Sequence, residues 1–256
     1  MEIRILGAHN CESPDTRLIS ILIDQALVID AGSITSSLPF SAQRGLKAIF
    51  LTHQHFDHIR DLATLGLNLY AQRTVELYAL ESVLDVVSSY LFSGEIYLDF
   101  RNRPTPEKPT FKLCPLEPYK EVVIQGYAVL PLPVNHGVSA VGYQITSQDK
   151  KSFFFSGDTG RNTPTLWEVV SAQLLIIEVT LPNSYRTLAI ESGHLTPQLL
   201  KEELNELKGV RSSLPPVVTV HMNPELEGEI RGEVEQISRE LGAKITLGYE
   251  GMAIVL

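Results

Sequence analysis

The sequence predicts an α/β protein built as a sandwich of two mixed β-sheets with helices outside. Three observations predict it. Short aliphatic and β-branched runs, bounded by turn residues, recur at both ends of the chain. Helical periodicity is confined to a few blocks between them. The resulting order is strands, helices, strands, helix, strand, helix, strands, which does not fit a simple doubly wound sheet. Residues 1–256 read as a single domain, with no repeat of fixed period and no low-complexity tract.

Taken in order, strands are expected over Ile3 to Leu6, Leu18 to Ile23 and Ala26 to Ile29, punctuated by Gly7, Asn10, Pro14 and Asp24-Gln25. Lys47 to Leu51 leads directly into Thr52-His53. Helices are expected over His58 to Gln72, from the spacing of Ile59, Leu62, Leu65 and Leu69, and over Glu81 to Phe92, from Val83, Leu84, Val87 and Leu91. Phe100 to Pro118 is Pro-rich and charged, and reads as a long surface loop rather than a linker between domains. Strands resume at Glu121 to Ile124, Tyr127 to Val134, Ala140 to Ile145, Ser152 to Ser156 and Leu174 to Val179. Thr196 to Leu207 is a helix with Thr196 or Ser192 near its cap and Pro197 in its first turn. Val217 to Val220 is a buried strand, and Glu229 to Leu241 is an amphipathic helix stopped by Gly242. Lys244 to Leu247 and Met252 to Leu256 close the chain as strands. The apolar faces of the two middle helices, read as exposed, suggest a homodimer.

Composition narrows the function. With 44% hydrophobic and 20% charged residues the chain has the make-up of a globular protein, not a disordered one. Thirty acidic against 21 basic side chains give a net charge of −9. Such a chain has no general electrostatic pull on nucleic acid or anionic lipid, so general nucleic-acid binding is not expected. Handling a phosphate would require a local positive device such as metal ions. Cys11 and Cys114 are too few for a disulfide framework and fit a reducing compartment. Met1-Glu2-Ile3-Arg4-Ile5 carries charges where a signal peptide needs an apolar run, and no apolar stretch approaches the ~20 residues of a membrane span. The expectation is a cytoplasmic protein.

The segment Thr52-His53-Gln54-His55-Phe56-Asp57-His58 carries the chemistry. Four ligand-type side chains fall within six residues directly behind an apolar strand. Alternate residues His53 and His55 can face one point, while Asp57 and His58 turn to a second nearby. Neutral imidazoles and a carboxylate suit zinc, iron or manganese. Three further residues stand at strand exits: His136 in Pro133-Val134-Asn135-His136-Gly137, Asp158 in Ser156-Gly157-Asp158-Thr159, and His221 in Val220-His221-Met222. Each alone is an ordinary polar strand end; their shared context and order make them ligand candidates.

Thr52-His53-x-His55-x-Asp57-His58, then His136-Gly137, Gly157-Asp158-Thr159 and His221, resembles the metallo-β-lactamase superfamily over nearly the whole chain. The resemblance implies an αββα sandwich with two divalent metal ions, zinc foremost and manganese or iron as alternatives. One ion would take His53, His55 and His136, the other Asp57, His58 and His221, and Asp158 would bridge them. Members hydrolyse lactams, lactones, thioesters and phosphodiesters, and some are redox proteins, so fold alone gives no substrate. Glu178-x-x-x-Pro182-Asn183 followed by Gly193-His194-Leu195-x-Pro197 is similar to the class II cyclic-nucleotide phosphodiesterases, although Phe56 stands where that group usually has Leu, and Asp61-Leu62 where it has Gly-Leu. The implied activity is hydrolysis of 3′,5′-cyclic nucleotides (cyclic AMP or GMP) to 5′-monophosphates. Asp57 would accept the proton of the attacking hydroxide. His194 would grip phosphate and protonate the leaving 3′-oxygen, held by Glu178; Asn183 would contact substrate, and Asp61 would hold a ligand histidine from behind. His194 also fits a capping turn, since it follows Ser192-Gly193 and precedes a helix. His9 reads as a loop residue lining the cleft, and Cys114 as packing.

Three alternatives remain. The RNase Z endonucleases are similar, but have Ser where this chain has Leu195, and the chain shows no long basic arm. Di-iron redox proteins of the flavodiiron kind usually carry Glu where His55 stands, and need a flavin domain. A secreted lactamase would need an export signal.

Overall fold

The computed structural model describes residues 1–161 and 164–256. In chain order its strands are β1 (Glu2–Gly7), β2 (Ser20–Ile23), β3 (Leu27–Ile29), β4 (Ala48–Phe50), β5 (Val75–Leu80), β6 (Pro104–Thr105), β7 (Lys108–Pro109), β8 (Phe111–Leu116), β9 (Val122–Ile124), β10 (Tyr127–Pro133), β11 (Val141–Thr146), β12 (Ser152–Phe155), β13 (Leu174–Glu178), β14 (Val217–Val220), β15 (Ile245–Leu247) and β16 (Ala253–Val255). The first seven-stranded sheet runs β16-β1-β2-β3-β4-β5-β8, and the second runs β15-β14-β13-β12-β11-β10-β9. Both are mixed. In the first, β3, β4, β5 and β8 pair in parallel and the rest antiparallel. In the second, β12 to β15 are parallel and β9 to β12 antiparallel.

A period-2 pattern of burial explains the sandwich. On the first sheet Ile21, Ile23, Ile29 and Phe50 face the second sheet, where they meet Val129, Tyr143, Phe153 and Phe155. Their neighbours Leu22, Val28, Ile49 and Leu51 face the opposite way. That outer face is covered by α1 (Ile34–Ser37), α2 (Phe40–Gln43), α3 (Phe56–Ile59), α4 (Leu62–Leu69) and α5 (Glu81–Val86), through Ile34, Leu62, Leu65, Leu69 and Val83. The second sheet is covered by α6 (Pro164–Val169), α7 (Arg186–Ser192), α8 (Pro197–Val210) and α9 (Glu227–Leu241). The order of layers is therefore helix, sheet, sheet, helix, as expected. In α8, Thr196 Oγ1 accepts from Leu199 N–H at 3.3 Å, and Pro197 occupies the first turn. Gly242, with φ of 62°, stops α9.

Several elements depart from the sequence expectation. The helix predicted over His58 to Gln72 is two helices. The Ala31 N–H donates to the His58 carbonyl at 2.6 Å, which takes the acceptor a continuous helix would give to residue 62. The block Glu81 to Phe92 begins as α5 and ends in a π-turn over Val87–Leu91, closed by Phe92 N–H to the Val87 carbonyl. Strand β5 was not predicted, though Val75, Leu77 and Ala79 alternate with less buried residues. Helices α6 and α7 were not predicted either. The region read as a surface loop, Phe100 to Pro118, contains the β6–β7 hairpin and β8, which pairs with β5 along its full length. Because β8 is an edge strand, Pro115 can sit in it without breaking a ladder. The apolar faces of the two middle helices are not exposed: Leu62, Leu65, Leu69, Val83 and Val87 are all fully buried within the chain, which removes the basis for the dimer expectation. Among the described residues no helix is long and apolar enough to cross a membrane.

The buried role of β8 is testable. Phe111 is fully buried, with its ring stacked 5.4 Å from Phe92. Phe111→Ala is expected to lower stability by about 3–5 kcal/mol in chemical denaturation. A loop residue would change it by no more than about 0.5 kcal/mol.

Candidate functional site

The carboxyl-terminal ends of the parallel strands of both sheets meet at one edge of the sandwich, which is where such folds gather ligands. β4 delivers Thr52 to His58, β10 delivers His136, β12 delivers Asp158, β13 delivers Glu178, and β14 delivers His221. Two backbone features make the exits sharp. Gly157 has φ of 60°, and a Cβ there would lie 2.8 Å from the Thr52 side chain, so only glycine lets Asp158 turn into the site. His221 itself has φ of 64°, a conformation that costs a non-glycine residue about 1–3 kcal/mol. Its N–H donates to the Ala8 carbonyl at 2.6 Å, which holds it there.

The seven ligand candidates come together as two sets. His53, His55, His136 and Asp158 offer atoms all within 4.8 Å of one another, and so do Asp57, His58, Asp158 and His221. Asp158 serves both sets with different oxygens. Its Oδ2 lies 3.7 Å from His53 Nε2 and 3.9 Å from His136 Nε2. Its Oδ1 lies 3.2 Å from His58 Nε2 and 3.4 Å from His221 Nε2. Asp57 Oδ2 stands 3.1 Å from His221 Nε2 and 3.6 Å from His58 Nε2.

The ring tautomers follow from what lies behind each histidine. His58 Nδ1–H donates to Asp30 Oδ2 at 2.7 Å. The Thr52 hydroxyl gives its proton to Asp30, so it accepts from His53 Nδ1–H at 3.0 Å. The Thr180 hydroxyl gives its proton to Glu178 Oε2, so it accepts from His221 Nδ1–H at 2.8 Å. His136 Nδ1–H donates to the Gly193 carbonyl at 3.0 Å. Four Nε2 lone pairs are thereby aimed inward, and His55 adds Nδ1, which lies 3.1 Å from His136 Nε2. His53 Nε2, His58 Nε2 and Asp158 Oδ1 are buried with no hydrogen-bond partner among the described residues. Buried polar atoms are rarely left so. This neutral-imidazole and carboxylate set, with its supporting acceptors, fits divalent metal ions.

Burial opposes charge on His58, but Asp158 and Asp30 hold it well above the ordinary imidazole range, so seating an ion at its Nε2 displaces a proton. Burial, and then the neighbouring His58, hold His53 well below the ordinary imidazole range, so it stays neutral. Burial opposes ionisation of Asp158, but His221 and His58 overcome it and keep its carboxyl well below the ordinary range. Asp57 is held low in the same way, against burial, by His221 and His58.

A second device adjoins the cluster. Glu178 is fully buried, and its Oε1 accepts from His194 Nδ1–H at 2.7 Å. Thr159 N–H and Leu195 N–H also donate to this carboxylate, at 3.0 and 3.2 Å. Burial opposes charge on His194, but Glu178 prevails and raises its pKa to about 9. The His194 ring stacks 5.4 Å from His221 and lies 5.2 Å from His136. His194 directly follows the left-handed Gly193 cap of α7, so the capping turn and the polar device are one structure.

Other sequence assignments change. Asn183 does not line the cleft: its Oδ1 accepts from Gln198 N–H at 2.8 Å and steadies the start of α8. Asp61 does not hold a ligand histidine. Its Oδ2 accepts from Thr35 N–H at 2.6 Å, while Asp30 does the holding for His58. Asp30 follows the strand Leu27–Ile29, a strand-exit position shared with Asp158, but it stands alone in the sequence and was missed. Thr52 and Thr180 were likewise missed as supports. His9 is not a cleft residue; it is buried, 2.6 Å from Glu250 Oε1 and 3.4 Å from Glu227 Oε2.

A donor set of this make-up, raised on the strand ends of a two-sheet sandwich, is that of a metallo-β-lactamase-fold hydrolase. The chain belongs to the metallo-β-lactamase superfamily: a model described as the beta-lactamase superfamily domain matches residues 21–222. Among curated proteins it is 34% identical over 152 residues to an octanoyltransferase of Porphyromonas gingivalis, covering 55% of this chain and 30% of that protein. It is 23% identical over 206 residues to 3′,5′-cyclic-nucleotide phosphodiesterase 1 of Saccharomyces cerevisiae, covering 70% and 55%. It is 29% identical over 114 residues to ribonuclease Z of Pyrococcus furiosus, covering 43% and 34%. The chain thus spans from under a third to just over half the length of these relatives. The crystal structure of unliganded yeast PDE1 superposes with a TM-score of 0.83 at 18% identity, covering 100% of this chain and 99% of that one; at this identity the likeness is one of fold.

The His9 pair gives a pH-dependent contribution to stability. Burial opposes charge on His9, but Glu250 and Glu227 outweigh it and raise its pKa, while against burial His9 and the Arg17 N–H lower that of Glu250. The pair therefore stabilises fully between the ordinary values of 4.5 and 6.5, and the contribution fades as pH rises through the elevated His9 value. Glu250→Gln is expected to lower stability by about 1.5–3 kcal/mol at pH 6. In parallel melts of both proteins, the deficit in Tm is expected to shrink at pH 9; an equal deficit at both pH values would contradict the charged pair.

Proposed function

We infer that the protein is a binuclear-metal phosphodiesterase that opens 3′,5′-cyclic nucleotides to 5′-monophosphates. The observation that carries this reading is the His194–Glu178 pair standing beside the double donor set, with Nδ1 to Oε1 at 2.7 Å. A ribose 3′-alkoxide is a strongly basic leaving group and needs a proton, and a phosphodiester anion needs local positive charge in a protein of net charge −9. The cleft offers both requirements side by side. The similarity to a curated cyclic-nucleotide phosphodiesterase over 70% of the chain supports the same substrate class.

His53, His55 and His136 would hold one ion, Asp57, His58 and His221 the other, and the two oxygens of Asp158 one each. Zinc suits this donor set, as do manganese and iron. When bound, the ions supply a hydroxide at neutral pH and shield the charge on the phosphate oxygens. Asp57, whose side chain is about one quarter exposed, would take up the proton lost as the attacking water becomes hydroxide. His194 has Nδ1–H committed to Glu178, so the proton it gives the leaving oxygen comes from Nε2. Glu178 is saturated by donors and cannot turn away, which fixes the ring plane.

Elemental analysis of the purified protein is expected to find two divalent ions per chain. Asp158→Ala is expected to lower occupancy of both; a single tightly held ion in the unaltered protein would rule out the binuclear arrangement. Incubated with cyclic AMP or cyclic GMP, the metal-replete protein is expected to release 5′-monophosphate. A 3′-monophosphate product, or no turnover, would overturn the reading. Cleavage of precursor tRNA instead would favour the ribonuclease activity carried in the name of the Pyrococcus furiosus relative.

His194→Ala is expected to leave metal content intact and to slow cyclic-nucleotide turnover about 10²–10⁴-fold. The loss on bis(p-nitrophenyl) phosphate should be much smaller, because p-nitrophenolate leaves without a proton. Equal losses on the two substrates would show that His194 only grips phosphate.

A further inference from the structure

The cleft has a second wall that the chemistry at the donor set leaves unused. It is formed by the loop after β1, through Asn10 and Glu12, and by α3 with the residue that follows it, through Phe56 and Arg60. Phe56 opens α3 yet leaves 66% of its surface exposed, so folding does not require its ring. An exposed aromatic ring on a cleft wall offers a platform for a flat ligand.

The polar groups around it are held from behind. Arg60 Nε donates to Asp61 Oδ1 at 3.1 Å, and Asp61, only 2% exposed, is fixed by Thr35 N–H. Arg60 Nη1 also pairs with Glu12, whose side chain is 39% exposed. An ion pair this open to solvent contributes little, so a ligand can part it at small cost. Asn10 donates its N–H to the Met222 carbonyl, and its Oδ1 is shielded from solvent with no hydrogen-bond partner among the described residues. The wall therefore presents a ring face, a fixed guanidinium fork and a carboxylate.

We propose that this wall binds a purine base and that Arg60 and Glu12 select guanine. The proposal rests on the cyclic-nucleotide reading above for the phosphate end of the ligand. Guanine carries adjacent acceptors at O6 and N7, which match the guanidinium fork, and adjacent donors at N1 and the 2-amino group, which match a carboxylate. Adenine has an amine where guanine has O6 and lacks the N1 proton, so it satisfies neither contact in full. Phe56 stacks on either base, because stacking does not distinguish them.

The test is calorimetric titration of GMP and AMP into the metal-replete protein. GMP is expected to bind about tenfold more tightly than AMP. Glu12→Gln is expected to narrow the GMP preference, with Arg60 still reading O6 and N7, and to leave AMP where it was. Phe56→Ala is expected to weaken both about tenfold, and Phe56→Tyr to restore them. Equal affinity for the two nucleotides, or a Glu12→Gln variant that weakens both alike, overturns the selection of guanine. A Phe56→Ala variant that binds both as before overturns the base subsite itself. Turnover separates this from the activity: if neither cyclic nucleotide is opened while the GMP preference stands, the hydrolytic reading fails and the subsite survives. If cyclic nucleotides are opened while GMP and AMP bind alike, the subsite fails and the hydrolytic reading survives.

Discussion

Donation of Nδ1–H from His53, His58, His136 and His221 to fixed acceptors behind them is the interaction on which the rest of the site depends. Imidazole carries a single proton when neutral, so an acceptor at the back decides that the lone pair faces forward. Asp30, Thr52, Thr180 and the Gly193 carbonyl supply those acceptors. Two of them are hydroxyls whose one proton is committed to a buried carboxylate, so toward the imidazole they can only accept. Asp30 and Glu178 are thus the ends of two proton-ordered chains, and each carboxylate fixes two histidines at once: Asp30 sets His58 and His53, and Glu178 sets His194 and His221.

Those chains explain why the strand exits take the shapes they do. Asp30 lies at the end of β3 with φ of 59°, and His221 at the end of β14 with φ of 64°. Both are conformations that side chains usually avoid, and both residues face the cluster. The fold tolerates them because backbone bonds hold them on both sides, as with Asp30 N–H to the Phe50 carbonyl at 2.8 Å. Gly157 performs the corresponding turn at Asp158 with no such strain.

Much of this was legible in the sequence, and the rest was hidden for definable reasons. Ligand residues stood out because His53, His55, Asp57 and His58 are close in the chain, and because His136, Asp158 and His221 each follow an apolar strand. The layer order followed from the alternation of short runs and periodic blocks. β8 was hidden because Pro115 and Lys112 mask an alternation that only an edge strand tolerates. The break before α4 was hidden because its cause is a tertiary bond from Ala31. The supports Asp30, Thr52 and Thr180 were hidden because threonine and a lone aspartate carry no spacing signal. Asp61 drew the role that belongs to Asp30 through mere closeness in the chain. Asn183 drew a substrate role from its motif, although its amide serves α8.

Each donor set draws from both sheets. His53 and His55 follow β4 of the first sheet, while their companions His136 and Asp158 follow β10 and β12 of the second. Asp57 and His58 likewise stand on the first, and His221 on the second. The cluster is therefore a clasp across the seam of the sandwich. Neither half of the chain can assemble it alone, so ion capture and the docking of the two sheets are thermodynamically one event. Ions seated there would add their binding free energy to the cohesion of the whole molecule.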